Sequence, residues 1–304
     1  MAVPSSDIRP PTSQALRGVL LAVLAMWLFS LQDAFVKAMS EDYSVVAILF
    51  FRSLGILPAA AYLVWREGRL PAFRSGRMGL HLFRSLLLFG MFLGYYIALT
   101  RLPLATAVSL VFSAPLMTTL LSVAILKERI GPQRWGAVAL GFLGVLIMVR
   151  PGGAAFDWAA LLCLGASFCY ALSMVLTRHL GATESLGKLV FYPNLIFFLG
   201  SALLLPANWT PVAPADIGLL MGFGLWILLA HLAITQAYRI APPPVLAPFD
   251  YTTLVWALLW GWLFWREWPD GYTLLGALVV VLAGLWVVYR EARHGRVISQ
   301  PPPR

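Results

Sequence analysis

The chain has 304 residues, of which 60% are hydrophobic and 12% charged, against roughly 25% charged in an average soluble domain, which excludes a soluble globular protein. Its mean hydropathy of +0.81 fits a chain made mostly of bilayer-spanning helix. The formal charge of +9 does not imply nucleic acid, because the basic residues lie between apolar runs rather than on one solvated face.

Residues 1–16 are polar and proline-bearing and lack a small-residue cleavage site, so they read as a cytoplasmic tail before an uncleaved first span. Apolar segments follow at about 17–38, 44–66, 77–100, 103–126, 133–149, 157–180, 186–205, 215–239, 243–265 and 271–290, each near the ~20 residues that one crossing takes. With the first tail inside, sixteen Lys and Arg collect on the inner side, against four outside (Lys37, Arg101, Arg150 and Arg266). Arg52 and Arg84 remain within spans. This bias places both termini in the cytoplasm. The last residues, 291–304, form a basic, proline-rich tail with some attraction to anionic lipid.

Cut near Asp157, the chain shows an internal repeat, residues 17–152 against 153–290. Lys127-Glu128-Arg129 matches Arg266-Glu267-Trp268. Gly136 and Gly144 match Gly276 and Gly284, and the halves end at Arg150 and Arg290. Five spans is an odd number, so the halves cross in opposite senses, the inverted-topology repeat of alternating-access transporters. The glycines are expected to serve close helix packing. Glu128 and Glu267, at helix ends, read as interfacial anchors or intrahelical ion pairs.

The segment from Tyr95 to Gly152 carries Ala98-Leu99 followed by Leu102-Pro103, then Pro115, the Lys127-Glu128-Arg129 end, and Gly141-Phe142-Leu143-Gly144-Val145 running to Arg150-Pro151-Gly152. In this it resembles the EamA-type branch of the drug/metabolite transporter superfamily, and the second half carries a weaker copy from Ala237 to Arg290. The resemblance implies an all-α membrane protein with ten transmembrane helices as two inverted five-helix repeats, a central cavity, and secondary transport of small organic molecules. Phe51-Arg52 and Phe83-Arg84-Ser85 look most like the branch holding riboflavin and S-adenosylmethionine importers and opine-type metallophore exporters.

An ionisable residue at bilayer depth costs roughly 2.5 to 3.5 kcal/mol, so each should pair, snorkel or line a cavity. Five stand out: Asp33, Arg52, Arg84, His231 and Asp250. Their counterparts under the repeat are uncharged, which favours substrate binding or coupling over architecture. By helical rise, Arg84, Asp250 and His231 lie roughly 10 to 12 Å from the inner surface and are expected to form one cluster. That cluster would bind an anionic or zwitterionic group and couple it to protons, since histidine titrates near neutral pH; snorkelling by Arg84 and a locally satisfied His231 are the structural alternatives. Asp33 and Arg52, roughly 8 and 12 Å below the outer surface, are close enough in depth to pair. Asp33 is otherwise expected to pair with Lys37 at i,i+4, which would leave Arg52 for a substrate carboxylate.

Aromatic residues crowd the spans expected to line the cavity: Trp27, Tyr95, Tyr96, Phe112, Trp226, Tyr251 and Trp256. Tyr95, Tyr96 and Tyr251 stand out because a buried phenol needs a hydrogen-bond partner. Pro115 in the fourth span and Pro242-Pro243-Pro244 with Pro248 in the ninth perturb corresponding helices and mark gating or kink positions. Asn208-Trp209-Thr210 is a formal glycosylation sequon in an outer loop, with no modification expected in a bacterial carrier. No His-Glu-x-x-His, Gly-x-Ser-x-Gly or cysteine–histidine arrangement suggests an intramembrane enzyme, and Cys163 and Cys169 suit neither a disulfide nor a metal. The expectation is an inner-membrane carrier without cofactor, exporting an amino-acid-like or opine-type metallophore compound, with uptake of riboflavin or S-adenosylmethionine as the alternative. Oligomeric state is left open by the sequence.

Overall fold

A computed structural model describes residues 12–68, 73–126, 130–151, 156–181, 184–241 and 243–294. The Lys127-Glu128-Arg129 motif, Gly152, Pro242, residues 1–11 and the last ten residues of the C-terminal tail lie outside the described residues, as do the side chains of Arg178 and Arg290. Among the described residues there are twelve α-helices and no strand: α1 Thr12–Met39, α2 Val45–Gly68, α3 Met78–Leu99, α4 Leu104–Val111, α5 Ala114–Leu126, α6 Pro132–Val149, α7 Trp158–Gly181, α8 Leu186–Leu204, α9 Pro214–Ile240, α10 Pro243–Asp250, α11 Thr252–Trp265 and α12 Gly271–His294. Among the described residues, eight stretches are long and apolar enough to cross a bilayer, with α4 and α5 together forming one of them. The chain is a multi-pass membrane protein.

Contacts define two ends of the bundle. Gly18 near the start of α1 abuts Ala241 at the end of α9, whereas Lys37 near the other end of α1 meets Leu102 and Glu267. We call these the Arg17 end and the Lys37 end. α7, the repeat counterpart of α1, begins beside Arg101, which stacks on Trp158 at 4.9 Å. It then runs to Thr177, which meets Arg84 one turn after His81 near the Arg17 end. The two halves therefore run in opposite senses.

Small residues set the closest approaches. A Cβ on Gly144 would come within 2.7 Å of the Gly276 carbonyl, and one on Gly276 within 2.5 Å of the Gly144 carbonyl, so α6 and α12 cross backbone to backbone there. Gly55 and Gly224 do the same for α2 and α9, against Met221 and Arg52. The other repeat-related glycines do not pair. Gly136 has nothing within 4 Å, and Gly284 abuts the Tyr251 phenol instead.

Candidate functional site

Both perturbed spans lose regular helical bonding at one point, with the backbone there still right-handed helical (Phe112 φ −65, ψ −3; Tyr251 φ −69, ψ −12). In the fourth, helix stops at Val111 and restarts at Ala114, and Pro115 is the second residue of the new helix, where its missing N–H costs nothing. The sequence placed a kink at Pro115. The discontinuity falls at Phe112–Ser113, ahead of it, because proline offers no N–H to the carbonyl one turn earlier and its ring crowds that carbonyl. In the ninth, α10 ends at Asp250 and α11 begins at Thr252, so the break is at Tyr251, three residues past Pro248. Phe112 and Tyr251 occupy equivalent repeat positions, and their rings stack at 4.9 Å. The two breaks thus meet face to face in the middle of the bundle. Pro58 inside α2 and Pro193 inside α8 are further helix prolines that the sequence reading did not weigh as kinks.

Toward the Lys37 end from these breaks lies a sealed polar network. Tyr95 donates to Asp33 Oδ2 at 2.8 Å. Gln32 Nε2 lies 3.5 Å from Asp33 Oδ1 and 3.4 Å from the Tyr96 hydroxyl, which accepts from an Arg52 terminal nitrogen at 2.9 Å. Arg52 also lies over the Phe92 ring at 4.3 Å. Exposure is 8% at Asp33, 3% at Arg52 and 0% at Tyr96. Asp33 and Arg52 are thus joined through Tyr96 and Gln32, and Arg52 Nε has no partner.

The expected Asp33–Lys37 pair is not formed. Lys37 Nζ instead lies 2.7 and 2.8 Å from the two carboxylate oxygens of Glu267 and donates to the Leu102 carbonyl at 2.9 Å. Glu267 Oε2 also accepts the Leu104 N–H at the start of α4, at 3.2 Å. Glu267 is therefore neither a free interfacial anchor nor an intrahelical partner. It ties α1, α4 and the end of α11 together. Local backbone explains its aim: α11 ends with Arg266 left-handed at φ 56, and the Glu267 N–H returns to the Gly261 carbonyl, a reversal that folds the following residue back over the helix end. Trp265 adds a bond to Glu41 at 2.7 Å. The helix behind this clasp is buried all round, from Leu104 through Ala105, Ala107, Val108 and Leu110.

Toward the Arg17 end the interior is open. On α9, Leu220, Gly224, Ile227, His231, Ile234 and Tyr238 fall on one stripe at helical spacing. The first three are buried, yet His231 is exposed and Tyr238 is 40% exposed. On α7, Cys163 and Ser167 are fully buried, while Tyr170 on the same stripe is 36% exposed. Residues on interior-facing stripes that meet solvent line a cavity.

Arg84 and Asp250 converge on it. Arg84 does not snorkel: it is buried and donates to Thr177 Oγ1 at 2.6 Å and to the Leu189 carbonyl at 3.1 Å. Tyr170 and the Tyr238 phenol both stand within electrostatic reach of Asp250, and Tyr170 also of Arg84. His231 is a separate station. Its Nδ1 meets the Ile227 carbonyl at 2.9 Å and its ring lies edge-on to Phe29 at 5.0 Å, roughly 10 Å along α9 from Tyr238. The expected three-residue cluster is thus Arg84 and Asp250 about Tyr170, with His231 two turns away.

Of the aromatic residues, Tyr95 and Tyr96 belong to the sealed network, and Phe112 and Tyr251 to the break. Trp226 Nε1 donates to the Leu28 carbonyl, and Trp27 stands 6.1 Å from Trp226. A groove of about 740 Å3 between α1, α9 and α11 is lined by Phe35, Phe223 and Trp226 and opens past Gly218 and Gly222 on the lipid side; of the network only Gln32 reaches it. Sequence reasoning missed Gln32, Tyr170 and Tyr238, and also the Lys37–Glu267 contact. The tyrosines carried a usable signal, a polar tip on an otherwise apolar interior stripe.

Broken helices meeting at mid-bundle, buried charges and a cavity closed at one end define a membrane transporter. A family model for the EamA-like transporter family matches residues 16–150 and 157–290, one copy per half, and the chain belongs to that family. It is 33% identical to the pseudopaline exporter CntI of Pseudomonas aeruginosa over 274 residues, covering 88% of this chain and 94% of that one. It is 27% identical to an S-adenosylmethionine uptake transporter of Rickettsia prowazekii, covering 91% and 94%, and 29% identical to a riboflavin transporter of Vibrio cholerae, covering 88% and 87%. A solved crystal structure with 21% identity superposes with a TM-score of 0.60 over 94% of this chain and 99% of that one, a likeness of fold.

Proposed function

We propose that this protein is a secondary transporter that exports a small amino-acid-like or opine-type metallophore compound across the bacterial inner membrane by alternating access. In this reading α10 and α11 make one crossing and α12 another, giving ten in two inverted halves, with both termini cytoplasmic. The observation that carries it is the contrast between the two ends: Asp33, Arg52 and Tyr96 are sealed behind Lys37–Glu267, while His231, Tyr170 and Tyr238 meet solvent on interior stripes. With the termini inside, the open end faces the cytosol, where an exporter loads.

Asp250 sits at the last turn of α10, beside the Tyr251 break, and is the group assigned to hold the substrate's positive charge or a coupling proton. His231, exposed in the same cavity, is the second protonatable group. Pro115 and Pro248 flank the two breaks, so both helices have a point where their halves can move independently. The 33% identity to a pseudopaline exporter supports export; the uptake names at 27% and 29% identity support the alternative of S-adenosylmethionine or riboflavin uptake.

The test is untargeted metabolite profiling of cytosol and medium in a deletion strain, with and without wild-type or Asp250→Ala protein. Export predicts a compound that leaves the cytosol and accumulates outside only with the wild type. Cytosolic depletion in the deletion strain, with the compound left in the medium, would reverse the assigned direction. Equal profiles with wild-type and Asp250→Ala protein at matched expression would remove Asp250 from the site.

A further inference from the structure

The Asp33–Arg52 network has a chemistry that the cavity at the Arg17 end does not use. A carboxylate and a guanidinium, exposed to 8% and 3%, share one sealed compartment without touching. Asp33 is met by the Tyr95 phenol at 2.8 Å and more distantly by Gln32. Arg52 spends one donor on the Tyr96 oxygen at 2.9 Å, rests on the Phe92 face and leaves Nε unpartnered. Separating two opposite buried charges by a layer of phenol and amide is a costly arrangement for a purely structural role, because each ion is desolvated without its best partner. Well-packed apolar residues in place of a buried ion pair are often neutral or stabilising. The spacing instead suits a ligand carrying both complementary charges.

Access follows from the placement of Arg52. Its backbone carbonyl abuts Gly224 on α9, on the interior stripe that continues through Ile227 to His231, roughly 10 Å further along the helix. The network is thus the next station on the path that begins at Asp250 and Tyr238 and passes His231. Beyond it stands the Lys37–Glu267 clasp.

We propose that Asp33 and Arg52 form the head-group site for a zwitterionic α-amino-acid moiety of the substrate, Asp33 taking the ammonium and Arg52 the carboxylate. In the closed conformation the Tyr95 and Tyr96 hydroxyls occupy the positions of those two groups. Opening the site rotates the phenols aside, and the substrate replaces a charge-to-hydroxyl bond at each ion with a charge-to-charge one. The proposal rests on the transporter reading above and deepens it by naming the substrate's head group.

The test measures binding, which does not depend on the direction of transport. Thermal unfolding midpoints of the purified full chain in detergent would be followed with L-phenylalanine, 2-phenylethylamine and 3-phenylpropionate, which share a ring but carry both charges, the positive one or the negative one. The wild type is expected to respond to the zwitterion at concentrations at least tenfold lower than to either single-charge compound. Asp33→Asn should make L-phenylalanine and 3-phenylpropionate equivalent. Arg52→Gln should make L-phenylalanine and 2-phenylethylamine equivalent, with Arg52→Lys, which keeps the charge, retaining part of the preference and showing that the position tolerates change.

Tyr96→Phe is the distinguishing variant. A competing phenol predicts that its removal lowers the L-phenylalanine concentration needed by several fold, whereas a merely structural bond predicts no gain. Equal responses of the wild type to all three compounds, or no gain in Tyr96→Phe, would overturn the proposal. Either result leaves the metabolite profile to judge export separately.

Discussion

Substituting Glu267 by Gln tests whether the Lys37 end is a gate. Two carboxylate oxygens at 2.7 and 2.8 Å from Lys37 Nζ give a gross Coulomb attraction of about 6 kcal/mol at an effective dielectric of ~20. Much of that is offset by desolvation and side-chain ordering. The side chains are 9% and 28% exposed, so the net lies between the ~0.2–1 kcal/mol of a surface pair and the ~3–5 kcal/mol lost on breaking a buried one. We take about 2 kcal/mol, equivalent to roughly thirtyfold in the closed-to-open ratio. The reporter is Ala105→Cys, a buried position next to the capped Leu104 N–H, in a chain with Cys163 and Cys169 replaced by Ala. Labelling by a membrane-impermeant maleimide, applied to intact cells and to inverted vesicles, should accelerate by tenfold or more in Glu267→Gln and from one face only. Unchanged labelling, with a lowered unfolding midpoint, would show that the clasp holds the fold and does not gate it.

Gly276→Val should cost about 1–3 kcal/mol of stability by overpacking, since a Cβ there meets the Gly144 carbonyl and Met148 at 2.5 Å; Gly136→Ala, with open space around it, should be neutral in the same unfolding assay. Asp270 caps α12 by accepting the Thr273 N–H at 2.8 Å and pairs with Arg150. Thr273 first, then Arg150, hold its carboxyl below the ordinary 3.8 against a smaller opposing effect of burial. The folded chain therefore binds this proton less readily than the unfolded one, and the group's stabilisation is complete above pH ~4 and disappears as pH falls through the depressed value. Unfolding midpoints between pH 7 and 3 should fall more steeply for wild type than for Asp270→Asn. Finally, if opening the Lys37 end exchanges the Gly144–Gly276 crossing for a Gly136–Gly284 one, cysteines at 136 and 284 should cross-link only in Glu267→Gln, because in the present conformation the Tyr251 phenol stands against Gly284; equal cross-linking in both backgrounds would contradict that exchange.

Helix positions were legible to within a few residues because the bilayer fixes the length of an apolar run so tightly. The expected 44–66 became Val45–Gly68, and 186–205 became Leu186–Leu204. The breaks were legible as regions but not as points, since proline reports a lost donor while the discontinuity falls within about a turn of it on either side, before Pro115 and after Pro248. Lys37 shows the other limit. Asp33 four residues earlier is its natural local partner by helical spacing, yet Glu267 lies 230 positions away in sequence and offers two oxygens and a fixed aim. Local spacing cannot rank a partner that tertiary structure supplies. The same holds for Arg84, whose Thr177 and Leu189 partners come from the opposite half.

What separates scaffold from site here is which contacts respect the repeat. Phe112 and Tyr251 are equivalent positions and stack on each other, so they lie on the axis relating the halves. The Gly144–Gly276 crossing joins the later glycine of one half to the earlier glycine of the other, and full symmetry would add a matching Gly136–Gly284 crossing. That second contact is missing, with the Tyr251 phenol in its place. Under the alternating-access proposal, a molecule with two near-equivalent halves that makes only one of two possible crossings is held in one of two exchangeable arrangements, and the exchange would close the end that is now open. The charges give this exchange something to move. Asp33, Arg52, Arg84, His231 and Asp250 have no charged counterparts across the axis, so two such arrangements would present different chemistry to the same ligand. A carrier built on symmetric helices needs such asymmetric stations if loading at one end is to differ in affinity from release at the other.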